Sequence, residues 1–221
     1  MPIVRISGRL VYFAHVPKCA GTAIEAYLET AFGPLAFRDT RFTSVPTRKR
    51  WTRSSPQHLT AGDLGRLFPS DFFDHSFAVV RSPAPRLVSA FRFQRDIEGT
   101  VPEDMAFGEW LEAAHAGRGR KPWQFDNHTR PMTEIVPEGT RVFRLEDGLA
   151  PLVGWLRELA GEGITLPDEI TPSNVLDTRL AFEGKPNRPV VLDAKDQARV
   201  ARLYAADYER FGYDPLTGDP L

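Results

Sequence analysis

The chain has 221 residues, a formal net charge of −1, 42% apolar and 26% charged residues, and one cysteine. Such a length suits a single domain, 1–221, with a sizeable core, and the near-neutral charge offers no global argument for a nucleic-acid partner. A lone cysteine excludes an internal disulfide, and no apolar stretch is long enough to span a bilayer.

The opening residues Met1-Pro2-Ile3-Val4-Arg5 lack the apolar core of a signal peptide, so a cytoplasmic protein is expected. Val11-Tyr12-Phe13-Ala14-His15-Val16-Pro17-Lys18 predicts a strand over about 10–16. Small residues then lead into a helix with Ile24, Tyr27, Leu28, Ala31 and Phe32 on one face, stopped by Gly33-Pro34. A strand-to-helix junction aims orphan backbone N–H groups and the positive end of a helix dipole at one point, which makes an anion site with Lys18 at its rim. Three familiar loops do not fit. A Walker A loop carries its Lys after the glycines, whereas Lys18 precedes Gly21. A cysteine-phosphatase loop would close on an Arg where this chain has Glu25, whose charge would repel phosphate. The dinucleotide fingerprint G-x-G-x-x-G is absent from this junction.

Residues 37–53 are polar and basic, with Arg38, Arg41, Arg48, Lys49, Arg50 and Arg53. They are read either as a solvated loop or as a rim that attracts an anionic ligand. Thr60 followed by Asp63 resembles a capping box, so a short helix is expected there, with His58 just before it. Phe77-Ala78-Val79-Val80 reads as a buried parallel strand. Ser82-Pro83 starts the next helix, whose apolar stripe is Leu87, Val88 and Phe91. Arg81 at the strand end and Ser89 on that helix can converge on one anion, the first with a planar fork of donors and the second with a hydroxyl. Arg86 stands between them, read either as a further anion contact or as half of a salt bridge.

An amphipathic helix is expected over 103–115, with Phe107, Trp110, Leu111 and Ala114 facing inward. Asn127, His128, Arg130 and Pro131 follow in an irregular stretch where Trp123 and Phe125 either stack on a sugar or pack into the core. Thr140 to Glu146 predicts a third strand, with Asp147 placed to cap a helix over 149–159. A single terminal helix is expected over 194–211, ended by Gly212. Alternating strands and helices with two anion-type junctions predict an α/β fold: three layers, α/β/α, around a mainly parallel sheet, with ligands beyond the carboxyl ends of the strands.

His15-Val16-Pro17-Lys18-Cys19-Ala20-Gly21-Thr22, Arg81 with Arg86 and Ser89 at the spacing Arg-x-x-x-x-Arg-x-x-Ser, and Tyr204-x-x-Asp207 before Gly212-Tyr213 together resemble a family. It is the sulfotransferases that use 3′-phosphoadenosine-5′-phosphosulfate (PAPS), in the branch of carbohydrate and heparan enzymes and their bacterial relatives. Two positions depart from its pattern: Ala20 stands where Gly is frequent, and Ala23 where Ser is frequent. The resemblance implies a P-loop-like fold and a first loop, Lys18, Cys19, Ala20, Gly21, Thr22 and Ala23, that holds the 5′-phosphosulfate. It implies that Arg81 and Ser89 hold the 3′-phosphate, and that Arg188 in a late loop also touches the nucleotide. His58 would be the general base, His128 a second acid/base or acceptor contact, and Lys18 a catalytic stabiliser of the leaving oxygen. No metal or covalent intermediate would be needed, the product would be the desulfonated nucleotide PAP, and the acceptor would be a hydroxyl, carbohydrate first. Two rival classes stay open beside it: a phosphoryl transferase, which would need ATP and Mg²⁺, and a nucleotide-binding protein without turnover.

Overall fold

The apolar run at residues 10–16 becomes the strand around which the first part of the molecule is built. The structure, a computed structural model, describes residues 2–42, 44–173 and 175–221. The chain divides into two units, one of Met1–Val80 with Glu134–Ser173, the other of Arg81–Thr133 with Asn174–Leu221.

The first unit holds a four-stranded sheet, β1 (Ile3–Ile6), β2 (Arg9–Ala14), β3 (His75–Val80) and β4 (Arg141–Arg144), in the order β1-β2-β3-β4. β2, β3 and β4 run parallel, and β1 pairs antiparallel with β2. The sheet is therefore mixed. The β1–β2 hairpin turns through Ser7 and Gly8, both at positive φ (48° and 83°). This is the conformation that a two-residue hairpin turn requires to match the strand twist.

Phe77, Ala78, Val79 and Val80 are all at most 1% exposed, as expected of a parallel strand covered on both faces. Phe13 stacks on Phe77 at 4.8 Å, and Trp155 closes on Phe77 at 5.4 Å. Around the sheet lie α1 (Gly21–Phe32), α2 (Ala61–Leu67) and α5 (Ala150–Ala160). Gly33, at φ 92°, ends α1 as its composition predicts. Thr60 caps α2 by accepting the Asp63 N–H at 3.1 Å. Asp147 does not cap α5: it lies in a short turn, and the helix begins after Leu149 with no side-chain cap.

The second unit is helical among its described residues. It contains α3 (Pro83–Arg92), α4 (Phe107–Gly117), α6 (Leu176–Phe182), α7 (Ala194–Leu203) and α8 (Ala205–Phe211), and a π-helical turn, Phe93–Glu98, extends α3. Phe91, Phe107 and Trp110 form an aromatic core with centroids 5.3–5.7 Å apart. The single terminal helix expected over 194–211 is two helices broken at Tyr204 (φ −118°, ψ 25°). At the break the Tyr204 side chain is buried and its hydroxyl donates to the Thr129 carbonyl at 2.5 Å. No described helix is long and apolar enough to cross a membrane.

Candidate active site

In the first unit, the loop from β2 to α1 is bent by two non-glycine residues in the left-handed region, Lys18 (φ 68°) and Ala20 (φ 61°). Left-handed residues in a tight turn point successive N–H groups into one concavity, the arrangement called a nest. Ala20 is the N-cap of α1, has no side chain able to cap, and is followed by no acidic residue in the first turn. The first α-helical bond runs from the Ile24 N–H to the Ala20 carbonyl at 3.1 Å. The N–H groups of Gly21, Thr22 and Ala23 therefore precede it and face outward as donors. Thr22 is exposed and Lys18 half-buried. Cys19 is 1% exposed and its thiol donates to the Pro17 carbonyl at 3.7 Å, so its sulfur is turned inward and only its main chain belongs to the loop.

Beneath the loop lies a polar network. His15 Nδ1 is 2.7 Å from Glu25 Oε1, and Arg38 Nε donates to Glu25 Oε2 at 3.0 Å. Arg38 also donates to Glu29. His15 is 7% and Glu25 4% exposed. Burial drives the His15 imidazole down to about 4, against the raising effect of Glu25, so the ring is neutral at pH 7. For Glu25, burial pushes the carboxyl up, but the His15 hydrogen bond and the Arg38 charge outweigh it and hold it below the usual range. An ionised carboxylate only accepts, so the proton of neutral His15 sits on Nδ1. Nε2 presses on Gly21: a Cβ there would lie 1.8 Å from it. Gly21 is required by close approach, not by its backbone angles.

His58 lies in a single turn, Pro56–His58, ahead of α2. Its Nδ1 is 3.1 Å from the Ser55 hydroxyl, and its ring meets that of His15 edge-on, centroids 4.8 Å apart at 89°. It does not cap α2, a task that falls to Thr60. The basic stretch after α1 encloses a cleft of about 520 Å³ whose walls include Arg38, Arg41, Lys49, Arg50 and Trp51.

The second unit carries the remaining candidates. Arg81 is half-buried and makes no ion pair with any other described residue. Ser89 is half-buried on α3. Arg86 is 0% exposed and makes no salt bridge with another described residue. It donates to the His128 and Arg130 carbonyls at 3.1 and 2.8 Å, and so holds the main chain around His128. Phe125, Asp126 and Asn127 form a left-handed turn (φ 53°, 52° and 63°) that delivers His128, 8% exposed, against Phe93 at 5.7 Å. Asp207 secures the far side of this segment by accepting the Met132 and Thr133 N–H groups at 2.8 and 2.9 Å. Burial pushes its carboxyl up, against the pull of the nearby Arg86 charge and of those bonds. Arg188 pairs with Glu103 at 2.8 Å while its carbonyl accepts from Arg95.

A nest at an uncapped helix start, with a lysine at its rim, is a geometry that can receive an anion in an α/β protein. The profile of the sulfotransferase family matches residues 6–145, more than half of the chain, and the protein belongs to that family, whose reaction is sulfuryl transfer. No curated protein and no solved structure shows a significant match to the chain.

Sequence reasoning missed the His15–Glu25–Arg38 network. A signal was present: Glu25 sits beside Ile24, between the buried positions of α1, where a charge needs a partner.

Proposed function

We propose that the protein transfers the sulfuryl group of PAPS to a hydroxyl, on a carbohydrate, by in-line displacement. The observation that carries the proposal is the first turn of α1, uncapped, free of acidic residues and preceded by left-handed Lys18 and Ala20. In a sulfotransferase, such donors suit a phosphosulfate. The N–H groups of Gly21, Thr22 and Ala23 and the Thr22 hydroxyl would bind its oxygens, within the loop formed with Cys19. Lys18 would stabilise the charge that grows on the leaving oxygen, where preorganised charge contributes most. Arg81 and Ser89 would bind the 3′-phosphate, and Arg188 would join them on release from Glu103. A three-layer, P-loop-like arrangement within one domain belongs to the same proposal.

In the chemical step, the acceptor oxygen forms a bond to sulfur, the bond from sulfur to the phosphate oxygen breaks, and the hydroxyl proton passes to His58. An imidazole is suited to accept a proton near neutral pH. His128 would contact the acceptor. The cleft bearing Arg41, Lys49 and Trp51 would hold an acceptor with acidic groups and a ring to stack.

Isothermal titration with PAP tests the cofactor reading. Wild type should bind at micromolar concentration, and Arg81→Ala should weaken binding by about 2 kcal/mol, the scale of a charge-assisted hydrogen bond. A folded wild type that ignores PAP would refute the reading and direct the next titration to ATP with Mg²⁺.

A further inference from the structure

The proton-transfer scheme uses His58 and leaves the buried line Arg38, Glu25 and His15 without a task. Every link in that line is a direct contact. Arg38 Nε reaches one oxygen of Glu25 at 3.0 Å, the other oxygen reaches His15 Nδ1 at 2.7 Å, and the His15 ring reaches His58 at 4.8 Å between centroids. A buried carboxylate and imidazole carry a desolvation cost that an apolar pair at the same place would avoid. Hence the pair calls for an explanation beyond packing.

We propose that Glu25 and His15 are positioning residues that fix the orientation of the His58 ring. The assignment rests on His58 as the general base. Three features of the geometry support it. First, Glu25 binds Nδ1 of His15 and Gly21 closes against Nε2, so both edges of the His15 ring are held. Second, this immobile ring presents itself to His58 at 89°, while Ser55 bonds Nδ1 of His58 at 3.1 Å. The His58 ring is thus held by a hydrogen bond at Nδ1 and packed against a neighbour that is itself fixed. Third, His58 becomes a cation when it takes the hydroxyl proton. A second imidazolium beside it would oppose the transfer, and a neutral His15 with the Glu25 charge behind it favours it. Arg38, Glu25 and His58 are the charged or titratable groups that face His15 among the described contacts. His15 neither takes nor releases a proton in the step. This is the logic by which a buried carboxylate sets the tautomer and aim of an imidazole in hydrolytic triads, applied here one residue further from the reacting atoms.

The spectroscopic part of the test needs no acceptor. Imidazole nitrogen NMR spectra of the full chain, labelled with ¹⁵N-histidine, report tautomer and ring order for each histidine. In wild type, His15 should show the neutral Nδ1–H pattern from pH 7 down to about pH 5, and His58 should show one tautomer. In His15→Asn, whose amide still donates to Glu25, and in Glu25→Gln, His58 should change to an averaged pattern, while PAP affinity stays within about threefold of wild type. An unchanged His58 spectrum in His15→Asn overturns the proposal. So does a loss of PAP affinity in both variants, because the pair would then serve the loop and not the base. Failure of the wild type to bind PAP would instead remove the sulfotransferase cofactor reading, and full transfer by His58→Ala would remove the base assignment and the proposal with it.

Discussion

The first turns of α1 and α3 invite comparison, because each follows an apolar strand and each carries a family motif, yet they offer an anion different things. The α1 turn offers main chain: three outward N–H groups, no cap and no acidic residue. The α3 turn has almost no main chain to offer. Pro83 and Pro85 have no N–H, and the Ala84 N–H is committed to the Tyr208 hydroxyl. What remains at α3 is side chains, Arg81 and Ser89. Main-chain donors are fixed by the fold and cost no side-chain entropy on binding, so they suit a group undergoing reaction, where preorganisation counts. A guanidinium fork suits a group that must only be held. The two turns thus fit a division between a reacting and an anchoring anion.

The sharpest way to break this comparison is to damage the α1 turn from beneath. Gly21→Ala places a methyl 1.8 Å from His15 Nε2. The imidazole has nowhere to retreat without leaving Glu25, and opening a buried, paired carboxylate costs about 3–5 kcal/mol. Urea denaturation should show a loss on that scale, with PAP binding lost or strongly weakened at temperatures where the variant is still folded. A cost below about 1 kcal/mol would mean that the network under the loop is not rigid.

A second effect of similar size comes from pH. The unfolded chain protonates His15 near 6.5, whereas the folded chain holds it neutral down to about 4. Between those values the unfolded state binds more protons, so stability rises with pH across the window and falls as acid is added. The full contribution is present above about pH 6.5 and is gone by about pH 4, a loss on the order of 3 kcal/mol. Glu25 acts in the same direction lower down, since its folded value lies below its unfolded one and its contribution disappears as it protonates. Denaturation midpoints from pH 7 to pH 4 should decline steeply in wild type and less in His15→Asn. Equal slopes would remove His15 as the source.

Both turns were legible in the sequence because their signals are local: an apolar run, then Pro-Lys with small residues, or Arg-Ser-Pro. Thr60 and Asp63 as a helix start and Gly212 as a helix stop were legible for the same reason. What was not legible depends on distant partners. The local pattern over 194–211 is that of one helix, whereas at the observed break Tyr204 is engaged by a carbonyl at Thr129, far away in the chain. The left-handed turn over 125–127 contains no glycine; Asp126 and Asn127 are residues that tolerate this conformation, but Phe125 is not. Its support comes from Arg86 beneath the neighbouring main chain, a role that the motif spacing did not suggest. The β1–β2 hairpin did carry a cue in Ser7-Gly8, but Ile3–Ile6 is too short to show a period of its own.

The smallest expected effect tests where the α1 loop stores its strain. Ala20 holds φ 61° and ψ 16°, a conformation that costs an L-residue roughly 1–2 kcal/mol and glycine almost nothing. Ala20→Gly should relieve that cost, but glycine also gives the unfolded chain more freedom, worth about 0.5–1 kcal/mol in the opposite direction. The balance is a gain of about 0.5–1 kcal/mol, read as a higher urea midpoint at unchanged slope. No equivalent gain is available at α3, whose helix start at Ser82 (φ −45°, ψ 131°) lies outside the left-handed region. If Ala20→Gly lowers stability instead, the nest is not held against its local preference, and the contrast between a strained, main-chain turn at α1 and a relaxed, side-chain turn at α3 fails on its structural side.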